Sequence, residues 1–305
     1  MSALAVGLAL VLDAAVGEPP ERFHPVAWFG RLVAPLDREW PRPRATGLLA
    51  GLALPLGAAV VVAGAVRAAG LVSPLAATAA AGVVLFVATS LRRLLSRVRE
   101  VCEATGTDLG LARKRVRSLA GRPTAALTGG QVRSAAVESA AENLADGLVA
   151  PLAAFVLGAA VSLPVAAGAA TWVKAVNTMD SMLGYRSKPV GWASARLDDA
   201  VMWLPARISA LLIAVAAGVP TAVAGARRWR SAVPSPNSGW PMGALAAALD
   251  VRLEKQDVYT LNAEAAFPSE ADAARGVRVI AVAGLLAHLL AAWLASLGAG
   301  VVAWS

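Results

Sequence analysis

The sequence predicts an all-α integral membrane protein with about five to six membrane helices, its functional site carried on cytoplasmic helical segments. Three observations point there. Of 305 residues 57% are hydrophobic and 16% charged, where a soluble enzyme carries about a quarter charged. The charges are crowded into a few segments instead of being spread along a solvated surface. Between them run long uncharged stretches, 45–91 with only Arg67 inside, 147–173, 208–226 and 279–305, each long enough for a span of about 20 residues.

Taken in order, residues 3–16 form a shorter apolar run carrying Asp13. No basic segment precedes it and no clean cleavage site follows, so it reads as a half-buried or spanning first helix and not as a removable signal. The stretch 45–91 reads as two helices, 47–66 and 71–91, joined by a tight turn through Arg67, Gly70 and Pro74. One further helix is expected from each remaining stretch. Arg and Lys stay preferentially in the cytoplasm, which puts 17–46 with five Arg, 92–146 with nine Arg and one Lys, and 227–278 with six Arg and one Lys on that side. For 174–207, strict alternation of spans conflicts with polar content, and the proline-broken stretch 147–173 is then either re-entrant or a sign that the alternation fails elsewhere. The chain reads as a single polytopic membrane domain, 1–305.

Composition also bounds the chemistry. One cysteine, Cys102, permits no internal disulfide or cysteine-based metal cluster, and there are two histidines. The net charge of +8 would suggest nucleic acid in a soluble protein; here it reflects cytoplasmic loops and anionic lipid. No Gly-x-x-x-x-Gly-Lys-Ser/Thr loop, strand-linked Gly-x-Gly-x-x-Gly, Gly-x-Ser-x-Gly elbow or His-Glu-x-x-His string occurs, so a nucleotide would be held by other means.

Four constellations carry candidate chemistry. Glu138, Glu142 and Asp146 recur every fourth residue and on a helix would share one face, although like charges at that spacing oppose helix formation. The stripe runs straight into an uncharged span, where unpaired acids are expensive. It is either a solvated stripe paired with the Arg-rich segment before it or a functional site, and the oxygen donors Glu142, Asn143 and Asp146 suit Mg²⁺ shared with nucleotide phosphates. Lys174, Asn177 and Ser181 share a second face with Asp180 close by, and Gly184 can end that helix; a snorkelling anchor and a phosphate clamp both fit. In the third, Arg196 and Asp199 can pair at i, i+3, leaving Asp198 without a local partner ahead of Arg207. In the fourth, Asn237 or Ser238 can cap a helix with Pro241 in its first turn, near Ser235. An N-terminal turn adds His24, more often a structural residue than a base, and Arg31.

Together these parts resemble the CobD or CbiB family of cobalamin biosynthesis, the adenosylcobinamide-phosphate (cobinamide) synthases. The resemblance covers nearly the whole chain and follows the family's order: Asp13 with 17–20 and His24-Pro25-Val26, then 138–151, 174–185, 194–199 with Leu204-Pro205-Ala206-Arg207, and Ser235-Pro236-Asn237. Glu18 stands where an Asp is usual, Gly121-Arg122-Pro123-Thr124 where Gly-Arg-Asp-Thr is expected, and the loop 186–190 is shorter.

The resemblance implies ATP- and Mg²⁺-dependent attachment of (R)-1-aminopropan-2-ol, or its O-phosphate, through an amide bond to the remaining propionate carboxyl of adenosylcobyric acid. It implies catalytic roles for Glu138, Lys174, Asp180 and Asp198. Substrate or phosphate binding falls to His24, Arg31, Asn177, Arg196, Arg207, Ser235 and Asn237, and metal binding to Glu142, Asn143 and Asp146. It places the protein in the cytoplasmic membrane with its active site on the cytoplasmic side, among other enzymes of the pathway and without a nucleic-acid partner. The alternatives are a transporter, which would show paired repeats and charges buried within its spans, and a non-catalytic membrane scaffold, which leaves the Glu138 stripe without a purpose.

Overall fold

A computed structural model of the chain describes residues 1–121 and 123–302, with side chains to residue 297. Arg122 of the Gly121–Thr124 string and residues 303–305 of the last apolar stretch lie outside them. Helices carry the fold. The described residues hold two strands of three residues each. Four helical runs are long and apolar enough to cross a bilayer, Pro43–Val72, Pro74–Thr107, Gly129–Ala159 and Glu270–Leu297, with a fifth if Pro189–Val201 and Trp203–Ala217 form one broken span. The chain is thus an all-α, multi-pass membrane protein, divided into two compact units.

The first unit comprises Met1–Ser90, Asp146–Met202 and the chain from Ala287. It contains α1 (Ser2–Ala15), α2 (Pro25–Val33), α3 (Pro43–Val72) and α4 (Pro74–Ala88). The turn between α3 and α4 falls later than the sequence reading places it. Arg67 and Gly70 continue α3, and the break comes at Ser73, held extended at φ −167° and ψ 158° because a residue before proline is excluded from the helical region. Ser73 Oγ then accepts the Ala76 N–H at 3.0 Å and caps α4. At 14 residues α1 is too short to span. It packs on α4 and buries Asp13.

Helices α5 (Leu91–Thr107), α6 (Leu109–Val116) and α7 (Gly129–Leu144) follow in the chain. Back in the first unit, the stretch 147–173 is two helices, α8 (Ala150–Ala159) and α9 (Leu163–Leu183), folded back on each other. Ser162 caps α9 and Pro164 sits in its first turn, where a missing N–H costs nothing. α10 (Trp192–Val201) completes the set. A core of Val33, Met179, Leu183 and Val190 joins α2, α9 and the turn before α10. Gly47 of α3 lets that turn approach; a Cβ there would stand 1.8 Å from the Val190 carbonyl oxygen. Gly47→Val is expected to cost about 1–3 kcal/mol of stability, read as a lowered unfolding midpoint in detergent; an unchanged midpoint would show the contact to be slack.

The second unit comprises Leu91–Ala145 and Trp203–Leu286. α5 is amphipathic, burying Leu91, Leu94, Val98, Val101 and Cys102 at three- and four-residue spacing. α7 opens with a capping box, Thr128 with Gln131, and is buried almost throughout. The expected helix over 208–226 is broken. α11 (Trp203–Ala217) stops at Gly218, whose φ is +67°, with Pro220 two residues further on, before α12 (Ala222–Trp229) begins. After α13 (Gly239–Leu249) comes an antiparallel hairpin, β1 (Leu253–Lys255) and β2 (Tyr259–Leu261), pairing Leu253 with Leu261 and Lys255 with Tyr259. The final helix is α14 (Glu270–Val302).

Candidate functional site

In the second unit a cavity of about 200 Å³ is lined by Glu138, Ser139, Glu142, Ser235, Ser238, Lys255 and Tyr259, among others. Glu138 and Glu142, one turn apart on α7, form its acidic wall. Glu138 is 8% exposed, a depth at which a carboxylate needs compensating groups. Glu142 receives the Ser238 hydroxyl hydrogen at 2.8 Å. The hairpin forms another wall and is tied to α7, the Glu254 N–H donating to Ser134 Oγ at 2.9 Å. Its three-residue loop bends at Asp257, φ 58°, a position that Asp tolerates. The side chains of Lys255 and Tyr259 therefore enter the cavity from a backbone whose register is fixed.

The start of α13 differs from the expected cap. Ser238 occupies the cap position without a side-chain capping bond, because its hydroxyl serves Glu142. Ser235 Oγ instead accepts the Asn237 and Ser238 N–H groups at 3.2 and 3.3 Å. Asn237 is buried and its Oδ1 accepts from Arg207 Nη1 at 3.3 Å. The Arg207 guanidinium stacks over Trp203 and Trp240, 4.1 and 4.9 Å from their ring centres, an arrangement that suits Arg better than Lys.

The α-helix that carries Glu138 and Glu142 ends at Leu144. After Leu144 the chain takes a π-helical turn, Ala145–Val149, which widens the backbone loop and contains Asp146. Asn143 is exposed and donates its amide to Ser139 O and Oγ at 2.9 and 3.1 Å. Among the described residues no group of three or more His, Cys, Asp or Glu side chains that could hold a metal ion comes together.

The first unit carries a separate polar cluster. α9, too polar to count among the spanning helices, places Lys174, Asn177, Asp180 and Ser181 on its second half. Burial pushes the Lys174 ammonium below the usual lysine range, while the carboxylates of Glu18 and Asp146 act in the opposite sense. Asn177 Nδ2 donates to Asp198 Oδ1 on α10 at 3.5 Å. Asp180 lies against Gly184, where a Cβ would meet its Oδ1 at 1.9 Å, so only glycine lets that carboxylate fold over the end of α9. His24 Nδ1 accepts the Val26 N–H at 3.2 Å and caps α2, with Nε2 3.8 Å from Glu18. Arg31 is exposed. Arg196 is exposed too and lies 3.9 Å from Asp199, the local pairing expected from their spacing.

The sequence reading passes over Ser139, Ser238, Lys255 and Tyr259 as site residues, and over Glu18 as a partner for His24 and Lys174. For Lys255 a signal exists: Leu253 and Leu261 are buried on one face of the hairpin, an alternation of period two.

The profile of the CobD/Cbib protein family matches residues 6–295. The chain is 37% identical over 301 residues to the probable cobalamin biosynthesis protein CobD of Methanothrix thermoacetophila, covering 94% of this chain and 95% of that one. It is 37% identical over 301 residues to the cobalamin biosynthesis protein CobD of Rhodobacter capsulatus, covering 91% and 93%. Against the cobalamin biosynthesis protein CobD of Mycobacterium tuberculosis it is 40% identical over 265 residues, covering 82% and 80%. No solved structure matches. With a family profile spanning all but the ends of the chain and relatives alike over nearly their full length, this protein belongs to the CobD/Cbib family.

Proposed function

We propose that this protein acts in cobalamin biosynthesis as an amide-forming ligase. It joins (R)-1-aminopropan-2-ol, or its O-phosphate, to the remaining propionate carboxyl of adenosylcobyric acid at the expense of ATP. The observation that carries the reading is the cavity of the second unit. Two carboxylates placed on one buried helix wall suit an ammonium substrate that must later give up a proton, which neither a transporter nor a scaffold requires.

A carboxylate is a poor electrophile, so the propionate oxygen first attacks the γ-phosphorus of ATP, giving an acyl phosphate and ADP. The amine nitrogen then adds to the acyl carbon, the C–O bond to phosphate breaks, and phosphate leaves with the former propionate oxygen. Glu138 and Glu142 hold the ammonium, and Glu138, the more buried, takes the proton released as the amide forms. Lys174 offsets charge on a phosphoryl group, with Asp180 and the Asn177–Asp198 pair fixing the polar end of α9. Arg207, Asn237 and Ser235 support the α13 edge, and Arg31 and Arg196 offer exposed cations to an anionic corrinoid.

For Mg²⁺, the oxygen donors Glu142, Asn143 and Asp146 are the proposed ligands, shared with the phosphates of ATP. Mg²⁺ is proposed to enter as the ATP salt, a usual mode for an ion held largely by phosphates and water. The proposed location is the cytoplasmic membrane, with the site facing the cytoplasm and with other enzymes of the pathway as neighbours. Purified protein in detergent, given adenosylcobyric acid, aminopropanol phosphate and Mg-ATP, is expected to yield the amide by mass spectrometry; no product with any nucleotide would favour the transporter or scaffold readings.

A further inference from the structure

A second cavity of the second unit, about 370 Å³, opens between α5 and α14. Four charged side chains line it, Arg99 and Glu103 from α5 and Glu270 and Arg278 from α14, over a floor of Cys102 and Val277. Glu270 lies against Gly106, where a Cβ would stand 2.6 Å from its Oε1, so the two helices run in opposite directions along the groove. The acids therefore share one end and the arginines the other. Neighbouring charges on the same helices pair locally, Arg97 with Glu100 at 3.9 Å and Arg275 with Asp272 at 3.4 Å, and Arg133 donates to Thr105 and to the Pro268 carbonyl. Among the described residues the four lining charges enter no ion pair and no hydrogen bond.

The groove has a definite sense toward the membrane. On α14 the uncharged stretch 279–305 begins directly after Arg278, and Glu270 stands about 12 Å of helix before that point at 1.5 Å per residue. On α5 Arg99 is likewise nearer in the chain than Glu103 to the uncharged stretch that ends at Leu91. The arginines thus mark the bilayer end and the acids the water end. Beyond Arg278, Val282 and Leu285 continue its face of α14 at three- and four-residue spacing, and both are exposed, an apolar track that meets acyl chains in a bilayer. Charge then selects the headgroup. Two arginines alone would attract any anionic lipid, but the four lining charges sum to zero and are segregated, which matches a head with a phosphate next to the acyl chains and a cation beyond it. Guanidinium forks suit the phosphate, and a primary ammonium has N–H groups to donate to the two carboxylates, which a quaternary ammonium lacks.

We infer that the groove between α5 and α14 binds one membrane phospholipid with a phosphoethanolamine head. Arg99 and Arg278 hold its phosphate, Glu103 and Glu270 its ammonium, and its acyl chains run along Val282 and Leu285. The bound lipid bridges α5 to the start of the last membrane helix, and it takes no part in the amide reaction.

The test releases full-length protein from nanodiscs made of equal parts phosphatidylethanolamine, phosphatidylglycerol and phosphatidylcholine with the same acyl chains, and identifies the retained lipid by native mass spectrometry. The wild type is expected to keep phosphatidylethanolamine about fivefold or more over either competitor, the weight of one charge near a membrane surface. Arg99→Gln with Arg278→Gln is expected to erase that preference, and Glu103→Gln with Glu270→Gln to turn it toward phosphatidylglycerol. Soluble O-phosphoethanolamine is expected not to displace the lipid, since it lacks the acyl chains. Equal retention of the three lipids, a wild-type preference for phosphatidylglycerol or phosphatidylcholine, an order that neither pair of substitutions changes, or displacement by the soluble compound would each overturn the inference. All four side chains are exposed, so an unfolding curve in detergent is expected to stay at the wild-type midpoint for both double variants; should either fail to fold, the wild-type order of retention and the soluble competition decide.

Discussion

Glu142→Gln is expected to lower kcat/KM for amide synthesis by about a hundredfold or more while the protein still inserts in the membrane and folds. Gln is nearly isosteric and keeps an oxygen for the Ser238 hydroxyl, which donates to Glu142 at 2.8 Å, so the contact between α7 and the start of α13 survives. What goes is one negative charge in a confined cavity, and removing one partner of a hydrogen-bonded charge pair costs about 2–5 kcal/mol. Steady-state kinetics and an unfolding curve in the same detergent separate the two effects. Activity within a few-fold of wild type would remove the carboxylate wall from the account.

The second large effect is expected at Lys174. Lys174→Met keeps the length and apolar stem of the side chain, which borders an apolar cavity with Phe29, Val84 and Val87, and deletes only the ammonium. Loss of one preorganised electrostatic contact to a developing phosphoryl charge is worth about 10²–10³ in kcat, and that is the expected fall. A structural role alone would leave kcat intact and lower only the unfolding midpoint, since Glu18 and Asp146 would lose their nearby cation. The two measurements together decide between a phosphate-facing lysine and a packing anchor.

The membrane architecture is legible because it depends on where charges are absent, and four runs of the expected kind do form. Helix ends are less legible, because prolines act through the residue before them: Ser73 breaks the chain where Arg67 and Gly70 do not. The helix expected over 208–226 fails at Gly218 and Pro220, which a count of charges does not register. In the candidate site the pairing of Glu138 with Glu142 on one cavity wall follows from helical periodicity, whereas no local residue pattern announces the π turn at Ala145–Val149. Lys255 goes unread for a different reason. Its position depends on a hairpin of two three-residue strands fastened to α7 through Ser134, a contact across 120 residues of chain.

The central claim is that this protein makes an amide by activating a carboxylate with ATP. It is tested most directly with adenosylcobyric acid carrying oxygen-18 in its free propionate carboxylate, incubated with aminopropanol phosphate, Mg-ATP and the purified protein. The account predicts the amide with one labelled oxygen retained, ADP, and one labelled oxygen in the released phosphate. No amide, or an amide formed with no label in phosphate, would contradict it.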